Sequence, residues 1–108
     1  MKSIKIRTDK GGKEYTLAFT RLTARKLSRA GFTIDLVVQN PLDGIPMLFN
    51  GSLEAFHPDL GDEEKDKLFE SISDKNGLLK VLMQMYTEPV ETLLKDPKEK
   101  NATWEVVE

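Results

Sequence analysis

The feature that most constrains this chain is a change of period inside residues 13–32, KEYTLAFTRLTARKLSRAGF in one-letter code. Tyr15, Leu17 and Phe19 alternate with smaller or polar residues, the spacing of a strand with one buried face, and the alternation stops at Thr20. Thr20 suits a helix N-cap, because its hydroxyl can accept an orphan N–H of the first turn. Gly31 suits the left-handed residue that ends a helix, with Phe32 folding back onto the last turn. Strand, capped helix and glycine stop therefore follow one another within twenty residues.

Upstream, Ile4 and Ile6 alternate with Lys5 and Arg7, and Asp9, Lys10, Gly11 and Gly12 tolerate the backbone of a tight turn. Residues 2–19 thus read as a β-hairpin. Lys2, Lys5, Arg7 and Lys13 lie on its outward side, where charge discourages edge-to-edge pairing.

Residues 33–39 hold Ile34, Leu36, Val37 and Val38, a short run that suits one or two helical turns as well as a strand. Pro41 and Pro46 make residues 40–46 a turn in this reading. Ile45, Leu48, Phe49, Leu53 and Phe56, with Ser52 as the polar exception, form a stripe at helical spacing that ends at Pro58. Asn50-Gly51 inside that stripe weakens a helix by about 1 kcal/mol relative to alanine, which implies close approach of another element. Asp59 or Asp62 is expected to cap the next helix, with Leu68, Phe69 and Ile72 as its buried edge, and residues 74–77 to break the chain again.

Residues 78–95 form the longest helical candidate. Leu78, Leu82, Met85 and Leu93 share one side, and Leu79, Met83, Tyr86, Val90 and Leu94 an adjacent one. So wide a stripe places the helix at the centre of a bundle or leaves part of it as a docking surface. Pro89 is expected to kink or divide it. Residues 96–101 are charged and expected to be mobile, and residues 102–107, with Trp104, Val106 and Val107, read as a short strand able to join the hairpin edge. The expected architecture is α+β: one domain over residues 1–108, with a hairpin (2–19) packed against four to five short helices (20–95) and a charged tail (96–108). A chain of 108 residues buries one core.

Reactive chemistry finds little to work with. There is no cysteine, and His57 is the single histidine, which makes a thiolate or multi-histidine metal site unavailable. No serine sits in a Gly-x-Ser-x-Gly elbow, and Gly11-Gly12 lies within the hairpin rather than ahead of a helix, where a phosphate loop belongs. Asp62, Glu63, Glu64 and Asp66 lack the order of a calcium loop and read as a solvated helix start. The expectation is a protein that is not an enzyme and needs no cofactor or metal. With no apolar N-terminal run, a cytoplasmic location away from membranes is expected.

The net charge of -2 conceals a polarity. Residues 1–30 hold nine Lys or Arg against Asp9 and Glu14, and residues 31–108 hold seven against sixteen acids, giving +7 and -9. Arg21, Arg25 and Arg29 share a helix face that meets water or an anion. A nucleic-acid reader would need a second basic element and an overall positive charge, so no nucleic-acid partner is expected.

The run from Glu14 to Arg21, the helix ending Ala30-Gly31-Phe32, and the closing Asn101-Ala102-Thr103-Trp104-Glu105-Val106-Val107 resemble the small tail assembly chaperones of phages and prophages of Gram-positive bacteria. The resemblance spans most of the chain and rests on structural residues. It implies a protein made during assembly of a long-tailed phage and absent from the finished virion. Such a protein binds the tape measure protein and keeps its hydrophobic helices soluble while tail subunits polymerise. The family often also makes a longer product by frameshifting, and this chain stops soon after Trp104, as the short form would. The tail tube protein is a second partner compatible with that role, and so is self-association into a homo-oligomer.

The resemblance carries no binding motif, so the expected partner surface comes from the residues themselves. Leu79, Met83, Tyr86 and Val90 form the adaptable apolar face, with Leu42, Ile45 and Met47 at its rim. Charged residues at Met83 and Tyr86 are expected to abolish client binding while leaving the protein folded. Two other readings compete: a head-tail connector that uses the basic front and acidic back for stacking, and a small regulator that binds nucleic acid through Arg21, Arg25 and Arg29.

Overall fold

The hairpin and the capped helix form where the sequence puts them. A computed structural model describes residues 2–8, 12–96, 98 and 102–107. Strands β1 (Ser3–Arg7) and β2 (Glu14–Ala18) pair antiparallel, Ile4 opposite Leu17 and Ile6 opposite Tyr15. Of the expected turn at residues 9–12, only Gly12 lies within the described residues, at φ 62°. Helix α1 (Arg21–Arg29) begins with a reciprocal cap. Thr23 N–H donates to Thr20 Oγ1 at 3.1 Å, and Thr20 N–H donates to Thr23 Oγ1 at 2.9 Å. At its other end Gly31 takes φ 100°. Phe32 N–H then reaches Leu27 O and Gly31 N–H reaches Ser28 O, the paired bonds of a Schellman stop.

The middle of the chain departs from expectation. Residues 34–39 resolve as a helix, α2 (Ile34–Gln39). The expected turn over residues 40–46 is instead the start of α3 (Pro41–Leu53), which ends before Pro58. Pro41 occupies the first helical position, where a missing N–H costs nothing, and Pro46 is carried inside the helix, which forgoes the bond to the Leu42 carbonyl. Gly44 permits the tight corner between α2 and α3. A Cβ there would stand 2.5 Å from the Leu36 carbonyl oxygen. Gly51 permits a second approach, its missing Cβ lying 3.0 Å from a methyl of Leu27.

Helix α4 (Asp62–Ser71) starts after Gly61, and neither Asp59 nor Asp62 caps it; Asp62 is its first residue, one of three acids facing the positive end of the helix dipole. Leu68 is buried, Phe69 and Ile72 half-buried. Helix α5 (Lys75–Leu93) begins earlier than expected because Asp74, at φ 55°, turns its carboxylate to accept Gly77 N–H at 3.2 Å. It runs through Pro89 as one element. The only carbonyl deprived of its helical donor by that proline is Met85, about two turns from the end.

α3, not α5, occupies the centre, packing on α1, α2, α4, α5 and β2. Leu48, Phe49 and Leu53 of α3 meet Leu17 and Phe19 below β2 and Leu82 and Met85 of α5 in one buried cluster. Ser52, fully buried, turns its hydroxyl back to Phe49 O at 2.6 Å, so the polar exception in the stripe is satisfied. The strand expected over residues 102–107 is absent: these residues are exposed and carry neither helix nor ladder. A strand needs a partner edge, and in the isolated chain this segment does not take one. Of the tail expected to be mobile, residues 97, 99–101 and 108 lie outside the described residues. No helix among the described residues is long and apolar enough to cross a membrane.

Candidate partner-binding groove

The capped start of α1 and the second half of α5 lie side by side, and between them runs a groove of about 420 Å³. Ala24, Tyr86, Pro89, Val90 and Leu93 supply apolar walls and floor, and Arg21, Arg25 and Arg29 form one rim. Val90 and Leu93 are 52% and 63% exposed, which is why the groove is sticky and open. Helical spacing sets the three arginines along one line of about 12 Å, roughly two turns.

The electrostatics of that rim are one-sided. α1 has no acid in its first turn, and among the described residues Arg25 and Arg29 make no ion pair, while Arg21 reaches only the Thr92 carbonyl at 3.4 Å. Two like-charged i, i+4 pairs on one short helix cost about 0.2–0.5 kcal/mol each. A carboxylate placed over the groove would relieve that repulsion and pair with a fork of donors.

The expected partner residues do not gather on one surface. Tyr86 is 8% exposed, its ring held edge-on by Phe19 at 5.4 Å and Phe32 at 4.9 Å, so it presents only a margin to the groove. Leu79 is likewise buried in the core. Helix α5 therefore gives its first half to packing, and a charge at Tyr86 would break the aromatic cluster rather than spare the fold. Met83 is half-buried against the core. Leu42 and Met47 line a separate shallow recess between α1 and α3, and Ile45 a small one between α3 and α4. Of the seven expected residues, Val90 and the edge of Tyr86 belong to the arginine-rimmed groove. Leu93, Ala24 and Pro89 were not among them. The signal that finds them is the coincidence of two patterns, arginines at every fourth position and an α5 stripe that continues past Tyr86 after the core has closed.

His57 does not serve as a reactive group through its outer nitrogen. Its Nε2 accepts Thr16 N–H at 2.9 Å, and its ring lies 5.4 Å from that of Tyr15. Among the described residues, no three of His, Asp or Glu gather to hold a metal ion. A larger recess, about 680 Å³, lies beside β1 and the α4–α5 turn, lined by Ile6, Ile72 and Leu78 with Lys5 and Arg7, both of which pair with Glu14.

A family described as Domain of unknown function (DUF5055) matches residues 1–107. No curated protein and no solved structure matches the chain.

Proposed function

The chain belongs to the DUF5055 family, and we propose that it is a tail assembly chaperone, a protein that shields an amphipathic helix of a tape measure protein during phage tail assembly. The observation that carries this reading is the groove between α1 and α5, with an apolar floor and three arginines that lack acid partners. Such a groove fits a helix that carries an apolar stripe flanked by Asp or Glu, the helix-in-groove mode of recognition. The resemblance of the Glu14 to Phe32 and Asn101 to Val107 segments to phage tail assembly chaperones supplies the identity of the client. On this reading the protein acts in the host cytoplasm without catalysing a reaction and is left out of the finished particle.

The test is co-expression with a phage tape measure protein. The client remains soluble and co-purifies with the native chain, and Val90→Lys with Leu93→Lys abolishes co-purification while the thermal transition is retained. A client equally soluble without the chain, or retained by the double variant, contradicts the reading, as does recovery of the chain from washed virions by mass spectrometry.

A further inference from the structure

We propose that the free edge of β1 receives residues 102–107 of a second copy as an added antiparallel strand. The register fixes which backbone groups are available. Thr8 N–H bonds Lys13 O, and Thr16 N–H turns away to His57, so the ladder bonds fall on the Ile4–Leu17 and Ile6–Tyr15 pairs. The N–H and C=O groups of Ser3, Lys5 and Arg7 therefore point away from β2, and among the described residues they make no main-chain hydrogen bond. The opposite edge, on β2, is closed at its middle by the imidazole of His57.

Beside the open edge lies the 680 Å³ recess, with Ile6, Ile72 and Leu78 among its lining and Lys5 and Arg7 at its mouth. Residues 102–107 match it in length and pattern. They are exposed throughout, Trp104 at 86%, and carry no secondary structure of their own. As a strand, the segment would send Trp104 and Val106 to one face, toward Ile72 and Leu78. Glu105 would go to the other, beside Lys5 and Arg7. Those two cations share the single carboxylate of Glu14, which leaves one positive charge unanswered at the edge. Two β1 strands cannot pair directly, because Lys5 and Arg7 would meet their own kind. A strand bearing an acid at the right position can.

The segment comes from a second copy because of direction. Arg7 and Thr8 lie near Asp74 and Leu78, at the start of α5, whereas Lys2 lies near Glu88 and Thr92, at its end. A chain leaving α5 thus emerges beside Lys2, so its own segment runs parallel to β1 unless residues 94–101 are drawn out along the whole strand and reversed at its far end. Antiparallel pairing is the commoner sense, by roughly two- to three-fold, and suits a sheet with one solvated face, as this hairpin has. A segment from another copy enters at the Arg7 end in the antiparallel sense, and mutual exchange closes the pair as a two-fold dimer.

Light scattering across a concentration series, with the emission of Trp104, the single tryptophan, reads this directly. The native chain is expected to pass from monomer to dimer, with Trp104 emission moving to the blue over the same range. Lys5→Pro removes an N–H that the hairpin does not use, and weakens the dimer by roughly tenfold or more, the worth of about one hydrogen bond. Lys5→Ala, which removes only the exposed ion pair, changes it by no more than about threefold. Trp104→Asp, at an exposed residue that leaves the fold intact, abolishes the dimer. A chain that stays monomeric, a blue shift that is independent of concentration, or a dimer indifferent to Trp104→Asp overturns the proposal. None of these outcomes bears on the groove between α1 and α5, which co-expression tests separately.

Discussion

His57 Nε2 accepts the main-chain N–H of Thr16 at 2.9 Å, joining the chain just past α3 to the outer edge of β2 across a gap of 41 residues. The donor belongs to a residue whose N–H points away from β1, so it has no partner within the hairpin.

His57→Ala strands that half-buried N–H and is expected to cost about 1–3 kcal/mol, the penalty of an unsatisfied polar group. Urea unfolding checks the magnitude, and amide exchange at Thr16 checks the cause, since its protection should fall. His57→Gln, which keeps an acceptor on a shorter arm, should recover part of the loss.

Glu14 accepts from Arg7 Nε at 2.9 Å and lies 3.3 Å from Lys5 Nζ. The hydrogen bond to Lys5, followed by that to Arg7, holds its carboxyl below the ordinary value of 4.5. A lowered carboxylate stabilises the fold at pH above its unfolded value, and that contribution is lost as pH falls through the lowered one. The difference in stability between native chain and Glu14→Gln is therefore expected to be constant above about pH 5.5 and to shrink below 4.5 as the carboxylate protonates. It should also shrink in about 1 M salt, where screening acts over roughly 3 Å. Thermal melts along a pH series read both effects.

Gly44→Ala and Gly51→Ala should separate two kinds of close contact. At Gly44 the added methyl meets the Leu36 carbonyl and Val37 nitrogen, which are backbone and cannot yield, so a loss of about 1–3 kcal/mol is expected. At Gly51 it meets the end of the Leu27 side chain, which can rotate, and the helix gains about 1 kcal/mol of propensity, so the net change should be small. Chemical denaturation of the two variants measures the contrast.

In the groove, Arg25→Glu with Arg29→Glu should weaken an acidic amphipathic peptide at least tenfold and remove most of its salt dependence, about 1.4 kcal/mol or more. The same pair should leave the melting temperature nearly unchanged, because the attraction gained with Arg21 is offset by two acids four residues apart and by an acid at the negative end of the α1 dipole. Peptide titration by fluorescence anisotropy, run beside thermal melts, checks both. Tyr86→Lys should instead unfold the protein, because the charge replaces a ring wedged between Phe19 and Phe32.

What the sequence disclosed follows the range of the forces involved. The hairpin, the Thr20 cap and the Gly31 stop are set by neighbours within a few residues and could be read from spacing alone. Gly51 announced a close approach, and α1 supplies it. The prolines misled, because Pro41 stands at the first position of α3, where a missing N–H costs nothing, and the helix carries Pro46 in its interior. Centrality was equally hidden: α5 has the longer apolar stripe, but α3 is the element that the others surround. The groove was half legible. Its arginines and Val90 were visible as patterns, but that Tyr86 turns inward depends on Phe32, brought back against α5 by the end of α1.

That single ring divides the groove into a part that can drift and a part that cannot. On the proposed reading, changes at Arg21, Arg25, Arg29, Val90 or Leu93 would alter which helix is preferred with little effect on folding, so related chains would exchange clients by substituting the margin. The middle, where Tyr86 serves core and surface together, should resist such divergence, and a natural replacement there is expected to arrive with a compensating change at Phe19 or Phe32.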